Sequence, residues 1–161
     1  MRTTTATGAE TAKWISEHET LPVVWNDPTL DVVGFDPRSP YVEIYWLAVL
    51  GPSSIVAVRR LADWLDGKPS GIEITLEDLA QSLGLGRSIG RYSPIVRTLQ
   101  RLLMFGLAAI AWDAYALRRT IAPLSVRQQR HLPGFLAARH DDDLRRLAAE
   151  ADLGPVVPVA S

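Results

Sequence analysis

The alternation of apolar and polar positions along the chain predicts mainly helices. Over residues 52–66, apolar side chains recur every three or four positions, which is the spacing of a helix with one buried face. The ranges 75–83 and 93–105 show the same spacing. In the helices predicted over 52–66 and 75–83, the side chains expected to face a core are Ile55, Val58, Leu61, Ala62, Leu65, Leu76, Leu79, Ala80 and Leu83.

Capping residues indicate where several helices begin and end. Ser39-Pro40 begins a helix that runs to Gly51, because serine is a favoured N-cap and proline fits the first helical position. Gly51 and Pro52 end that helix and begin the next one. After Ser125 the chain is expected to be helical again, with a last helix over about residues 134–151.

Strand patterns are short and occur at two places. Residues 72–74 alternate apolar and polar side chains just before the 75–83 helix. Two β-like runs, 107–112 and 116–121, flank a turn at 113–115 and predict a hairpin. The sequence therefore predicts an α+β fold that is mostly helical.

The length of 161 residues predicts one domain with tails. We expect a short helix near residues 10–18, and we expect residues 21–38 to pack as extended chain on the outside of the domain. The predicted parts are a mobile or extended N-terminal arm (1–38), the main domain (39–123), C-terminal helices (124–153) and a tail (154–161).

The composition, 47% hydrophobic and 22% charged, is that of a soluble globular protein. The chain has no cysteine, which excludes disulfides, thiolate zinc sites and thiol nucleophiles. The N-terminal residues lack the apolar segment of a signal peptide. The longest uncharged run, 15 residues between Glu43 and Arg59, is interrupted by Gly51-Pro52 and too short to cross a bilayer. We expect a cytoplasmic protein without a membrane partner.

The net charge of −1 conceals a basic block. Residues 87–130 contain eight arginines and one acid, Asp113, a local charge of +7. G+C-rich codon usage would explain why arginine outnumbers lysine 15 to 2, but it would not explain the scarcity of acids in this block. Such a block indicates a polyanionic partner.

The 93–105 helix has two faces when its residues are placed 100° apart. One arc is apolar and is expected to be buried, and the other carries only positive charge, amide and hydroxyl groups besides Met104. Arginine and glutamine are side chains that read guanine and adenine edges. The residues expected on the exposed arc are Arg97, Thr98, Gln100 and Arg101.

The order helix, strand, helix, basic helix and hairpin over residues 52–121 resembles the winged helix-turn-helix domain of bacterial DNA-binding proteins. The matching stretches are LEDLAQSLGLG, SPIVRTLQRLLMFGLA and the hairpin. The lead-in helix, YVEIYWLAVLGP, is similar to that of otherwise uncharacterised bacterial winged-helix proteins, a likeness that implies no activity.

The resemblance implies that the 93–105 helix lies in the major groove and that the hairpin is a wing touching backbone or minor groove. One departure is the connection between Leu83 and Ser93, which is longer than the usual turn. This insert either reorients the 93–105 helix or itself contacts the phosphate backbone through Arg87 and Arg91. The DNA-binding residues implied are Arg87, Arg91, Ser93, Arg97, Thr98, Gln100, Arg101, Arg118 and Arg119.

No pattern of residues in the sequence indicates a catalytic site. GLGRSIGR follows a helix rather than a strand and lacks the Lys-Ser/Thr ending of a phosphate-binding loop. Ser53, Ser54 and Ser93 are interpreted as helix starts, since no histidine and aspartate are placed to activate them. Residues 140–143, His-Asp-Asp-Asp, are interpreted as a solvated acidic helix face because consecutive helical side chains do not converge on one ion. We expect no enzyme, cofactor, metal or small-molecule ligand.

The leading hypothesis is a sequence-specific double-stranded-DNA-binding protein, a transcriptional regulator associated with the nucleoid. A homodimer is expected because one winged helix has a small footprint, and the flanking helices 40–50 and 126–151 are the candidate dimer surface. The alternatives are a winged-helix scaffold that binds an acidic protein, and an architectural or replication protein that binds DNA without sequence preference.

Overall fold

The computed structural model describes residues 7–26, 28, 32–156 and 158. The strands are β1 (Thr20–Trp25), β2 (Ile72–Thr75), β3 (Ala108–Ala111) and β4 (Ala114–Leu117). A π-helical segment (Val42–Trp46) continues directly into α2. The α-helices are α1 (Gly8–Ser16), α2 (Leu47–Leu50), α3 (Pro52–Gly67), α4 (Leu76–Ser82), α5 (Pro94–Met104), α6 (Val126–Gln129) and α7 (Gly134–Glu150). The α+β class is confirmed.

Three central helices bury the side chains that the sequence pattern placed in the core. In α3 every residue of the predicted stripe is buried, from Ile55 to Leu65. In α4, Leu76, Leu79 and Ala80 are buried as predicted, while Leu83 just beyond the helix is half-buried. Helix α3 packs against both α2 and α5, which places it between them.

The sheet has four strands in the order β2-β1-β4-β3. Strand β1 pairs antiparallel with β2 and parallel with β4, and its Leu21 and Val23 are fully buried. The prediction that residues 21–38 lie on the outside of the domain is therefore wrong for β1, which is an inner strand. The sequence signal was weak because only two side chains of this short strand face the core.

The first helix packs on the domain as well. Thr7 and Glu10 form a reciprocal capping box that begins α1, which runs two residues earlier than the predicted 10–18 range. Ala12 and Ile15 are buried, and α1 lies against α5. The amide Nε2 of Gln100 donates to the carbonyl of Gly8, which fixes the start of α1 on α5. The described part of the N-terminal arm is thus integrated into the fold.

The hairpin is shorter than predicted. Its turn is formed by Trp112 and Asp113, with φ of 53° and 59°, instead of residues 113–115. Two successive positive φ values are the type I′ geometry, which matches the twist of the flanking strands. Arg118 and Arg119 follow β4 instead of lying within it.

Helix α7 packs on the lead-in segment through buried polar groups. The hydroxyl of Tyr41 accepts from the backbone N–H of Leu124 at 2.9 Å and lies 2.7 Å from Nε2 of His140. The hydroxyl of Tyr45 donates to the Asp143 carboxylate at 2.6 Å. The interpretation of residues 140–143 as a solvated face is therefore wrong for His140 and Asp143, which are buried against the lead-in segment.

Candidate nucleic-acid interface

The connection between α4 and α5 is an ordered loop that displays two arginines. Helix α4 ends in a Schellman motif, with Gly84 at φ 70° and the N–H of Leu85 donating to the Ala80 carbonyl at 2.8 Å. The half-buried side chains of Leu85 and Ile89 pack on the core. Arg87 and Arg91 are exposed on either side of Ile89. The long connection therefore presents positive charge while two of its apolar side chains pack on the core.

Ser93 is the N-cap residue of α5. Its hydroxyl accepts from the backbone N–H of Val96, and its side chain is almost fully buried. Pro94 occupies the first helical position, as the sequence predicted. A role for Ser93 at an interface would therefore be to set the start and direction of α5, because its hydroxyl points into the protein's own backbone.

The predicted exposed arc of α5 needs one correction. Thr98 was expected on that arc, but it is only 4% exposed. Its hydroxyl donates to the Pro94 carbonyl at 2.8 Å and lies 3.2 Å from the Ser53 hydroxyl. The physical reason is that the beginning of α3 packs against this side of α5, which makes the buried face wider than the apolar residues alone indicate.

Gln100 is half-buried and already occupied by its contact with Gly8. The sequence could not indicate this contact, because nothing in the pattern of residues 8–16 says which surface that helix covers. For the Gln100 amide to reach a base edge, the start of α1 would have to move away. In the described arrangement, α1 holds Gln100 toward the protein.

Arg97 and Arg101 remain exposed on α5, one turn apart. A guanidinium nitrogen of Arg101 donates to the Val49 carbonyl at 3.1 Å, and its Cζ atom lies 5.8 Å from the centre of the Phe105 ring. These contacts orient Arg101 while leaving other N–H groups of its fork unused. Arg97 borders a cleft between α5 and the beginning of α3.

The two arginines after the hairpin lie in different surroundings. Arg118 is half-buried and lines a cleft of about 280 Å³ that also contains Phe105 and Gln128. Arg119 is exposed, and its Cζ atom lies 5.2 Å from the centre of the Trp25 ring. Arg119 is therefore held against β1 at the end of the sheet.

The hairpin tip combines an anchored and a free side chain. The indole Nε1 of Trp14 donates to the Asp113 carboxylate at 3.3 Å, and Nε2 of His18 lies 3.7 Å from the same carboxylate. The neighbouring Trp112 is 88% exposed. Helix α1 thus holds one side of the turn. Trp112 was not predicted to lie at the exposed tip, because its turn conformation with positive φ cannot be read from the sequence.

Ion pairing distinguishes five arginines outside the basic block from seven within it. Outside the basic block, five arginines lie within 4.0 Å of a carboxylate: Arg38, Arg59, Arg139, Arg145 and Arg146. Arg38 contacts three carboxylates, those of Asp36, Asp63 and Asp66. Within the part of the chain that the structure describes, no carboxylate lies within that distance of Arg87, Arg91, Arg97, Arg101, Arg119, Arg127 or Arg130.

Arg127 lies beside the exposed side of α5, although it was not among the predicted DNA-binding residues. It lines a cleft together with Met104 and Phe105 at the end of α5. Because Arg101 also contacts Phe105, the exposed side of α5 and the beginning of α6 form one continuous region. We call this region, consisting of Arg97, Arg101 and Arg127, the arginine strip. No sequence signal links α6 to α5, since their contact depends on the path of the chain between them.

Electrostatics elsewhere serves the fold. The hydrogen bond from Tyr45 lowers the pKa of Asp143 despite burial, and Arg146 and Arg139 add to this effect. Burial acts to raise the pKa of Asp36, but hydrogen bonds from Arg38 outweigh it and lower that pKa below its usual value. In the described ranges, no three histidine or acidic side chains are arranged to hold a metal ion.

Comparison with protein-family models, with curated proteins and with solved structures found no match for this chain. Among the described helices, none is both long enough and apolar enough to span a bilayer.

Proposed function

We propose that this chain binds double-stranded DNA through the arginine strip and the arginines of the α4–α5 loop. The observation that carries the proposal concerns the described arginines. Five of the six outside the basic block lie within 4.0 Å of a carboxylate, whereas seven inside it, Arg87, Arg91, Arg97, Arg101, Arg119, Arg127 and Arg130, have no described carboxylate at that distance. A solvated protein face normally mixes both signs of charge. Unneutralised guanidinium groups on one region suit a phosphate backbone, because their binding releases condensed counterions.

The order and packing of α3, β2, α4, α5 and the β3–β4 hairpin support a winged helix-turn-helix arrangement, with α5 as the recognition helix. In this arrangement Arg97 and Arg101 contact base edges or phosphates, and Arg87 and Arg91 contact the backbone. The additional inner strand β1 distinguishes the sheet from a simple three-stranded wing sheet. Recognition of the DNA sequence would depend first on Arg97, because Thr98 is buried and the Gln100 amide is bonded to the Gly8 carbonyl.

Regulation of transcription is the role that such a module would serve, in the form of a homodimer on a two-fold site. The predicted dimer surface needs refinement. The 40–50 and 126–151 segments pack on each other within the chain, through Tyr41 with His140 and Tyr45 with Asp143. A second copy would therefore dock on the outer sides of these segments, such as the one that exposes Phe135.

The test is a binding titration with labelled mixed-sequence duplexes at low salt. The double variant Arg97→Ala/Arg101→Ala is expected to bind at least about tenfold more weakly than the parent protein. The matched control is Arg139→Ala/Arg145→Ala, which removes the same charge from α7, where both arginines are ion-paired. Equal weakening by both double variants would contradict a localised interface.

The protein-scaffold alternative predicts a different result. In that case no duplex binds, and the Arg97→Ala/Arg101→Ala variant loses an acidic protein partner instead. Circular dichroism and sizing of both variants check that neither the fold nor the oligomeric state has changed.

A further inference from the structure

The cleft bordered by Arg97 lies where the beginning of α3 meets α5, and it has a volume of about 270 Å³. Its lining includes Ser53, Ser54, Thr98 and Arg101 as well as Arg97. Three different kinds of hydrogen-bond donor therefore meet at one place: guanidinium groups, hydroxyl groups and the first amides of a helix. Among the residues that the structure describes, no acidic side chain lines this cleft.

The start of α3 is uncapped. Gly51 is the N-cap residue, and it has no side chain that could accept from the first amides of the helix. The first N–H groups of a helix have no partner within the helix, and the helix dipole adds positive potential there. Because Pro52 has no N–H, the amides of Ser53 and Ser54 are the first donors of this 16-residue helix.

Ser54 gives an independent indication of a ligand. Its side chain is fully buried, and its hydroxyl is the one side-chain polar atom buried without a hydrogen-bond partner in the described residues. Such a group costs roughly 1–3 kcal/mol when it is left unsatisfied. Ser54 is the third residue of α3, so no preceding turn of its own helix offers its hydroxyl a carbonyl.

We infer that this cleft binds a phosphate group. The anion would accept from the Ser53 and Ser54 amides and hydroxyls and would be neutralised by Arg97 and Arg101. The phosphate could belong to a DNA backbone or to a free phosphate or phosphate ester, since the chemistry of recognition is the same. The inference shares Arg97 and Arg101 with the proposed DNA surface, but it does not require that surface to bind DNA.

The experiment uses the full chain labelled with ¹⁵N and titrates it with inorganic phosphate, replacing chloride at constant ionic strength. The amide signals of Ser53, Ser54 and Ile55 are expected to shift and saturate. Ser54→Ala is expected to weaken phosphate binding about tenfold, as lost hydrogen bonding to a charged group predicts. The same variant is expected to be at least as stable as the parent protein, because it removes an unpartnered hydroxyl. A Ser54 that matters only for packing would give no change in phosphate affinity.

The matched control is Arg60→Ala. Arg60 is exposed on α3, and it neither lines the cleft nor pairs with a carboxylate among the described side chains. If phosphate is attracted by general positive charge, Arg60→Ala and Arg97→Ala will weaken binding equally. That result, or the absence of saturable shifts at the start of α3, would overturn the inference.

A mixed-sequence duplex added to the phosphate-saturated protein identifies the source of the anion. Displacement of phosphate assigns the cleft to a DNA backbone phosphate, and binding without displacement assigns it to a free phosphate or phosphate ester. If the duplex binds but inorganic phosphate does not, the cleft inference fails while the DNA proposal stands. If phosphate binds as expected and no duplex does, the DNA proposal fails alone.

Discussion

Tyr41 joins the lead-in segment to α7, and its replacement by phenylalanine tests the packing that positions α2 beneath the arginine strip. The Tyr41 hydroxyl accepts from the Leu124 N–H and contacts Nε2 of His140, and all three residues are buried. Tyr41→Phe keeps the ring and leaves two buried polar groups without a partner. At roughly 1–3 kcal/mol for each such group, we expect the free energy of unfolding to fall by about 2–6 kcal/mol.

Tyr115→Phe is the matched control. The Tyr115 hydroxyl, also fully buried, donates to the Leu99 carbonyl at 2.9 Å. That carbonyl lies within α5 and keeps its helical partner when the hydroxyl is removed, so the expected loss is about 1 kcal/mol. Urea unfolding followed by tryptophan fluorescence gives both values. If Tyr41→Phe lowers the free energy of unfolding no more than Tyr115→Phe does, the reasoning about the buried network is refuted.

Two further predictions concern backbone packing and pH. Gly34→Ala is expected to destabilise the fold by about 3 kcal/mol, because an added Cβ would lie 2.3 Å from the Ile121 carbonyl oxygen. Gly67→Ala meets no atom within 4 Å and should raise stability by about 0.5–1 kcal/mol in the same urea experiment. The lowered pKa of Asp143 stabilises the fold above the unfolded carboxyl pKa of about 4, and this contribution is lost as the pH falls below that value. Tyr45→Phe should therefore flatten the fall of the urea midpoint between about pH 4 and pH 2, and an unchanged slope would contradict the role of Tyr45.

Helical periodicity and capping predicted much of the fold. Gly84 and Gly106, which both adopt positive φ, follow the ends of α4 and α5 and agree with the predicted ranges 75–83 and 93–105. Both helices begin where the predicted ranges begin, because the side chains of Thr75 and Ser93 accept from the first turn of each helix. These features are local, so a single sequence contains enough information to place them. The same holds for the buried stripe of α3.

Contacts between distant segments could not be predicted in this way. Strand β1 lies between β2 and β4, and no residue pattern indicates which strands will be its neighbours. The contact between Gly8 and Gln100 spans most of the chain, so Gln100 appeared available on a helix considered alone. Thr98 appeared exposed for the same reason, because a polar residue gives no sign that another helix will cover it.

The candidate site was predicted in part. The charge of residues 87–130 is visible in the sequence, and the exposure of Arg97 and Arg101 agrees with the predicted arc of α5. The lack of carboxylate partners became apparent only in three dimensions, since arginines elsewhere reach acids across the fold, as Arg38 does with Asp63. The start of α3 at Gly51-Pro52 was predicted, but its lack of a side-chain cap and the proximity of Arg97 were not.

The measurement that tests DNA binding by the arginine strip most directly is the salt dependence of duplex affinity. Fluorescence anisotropy with pooled random duplexes, repeated at rising salt, should give a straight line of log affinity against log salt, with a slope of about −0.9 for each phosphate neutralised. Arg97→Ala/Arg101→Ala should reduce the magnitude of that slope by about 1.8, while Arg139→Ala/Arg145→Ala leaves it unchanged. A slope that the first variant does not alter, or no binding to any duplex at low salt, would contradict the account.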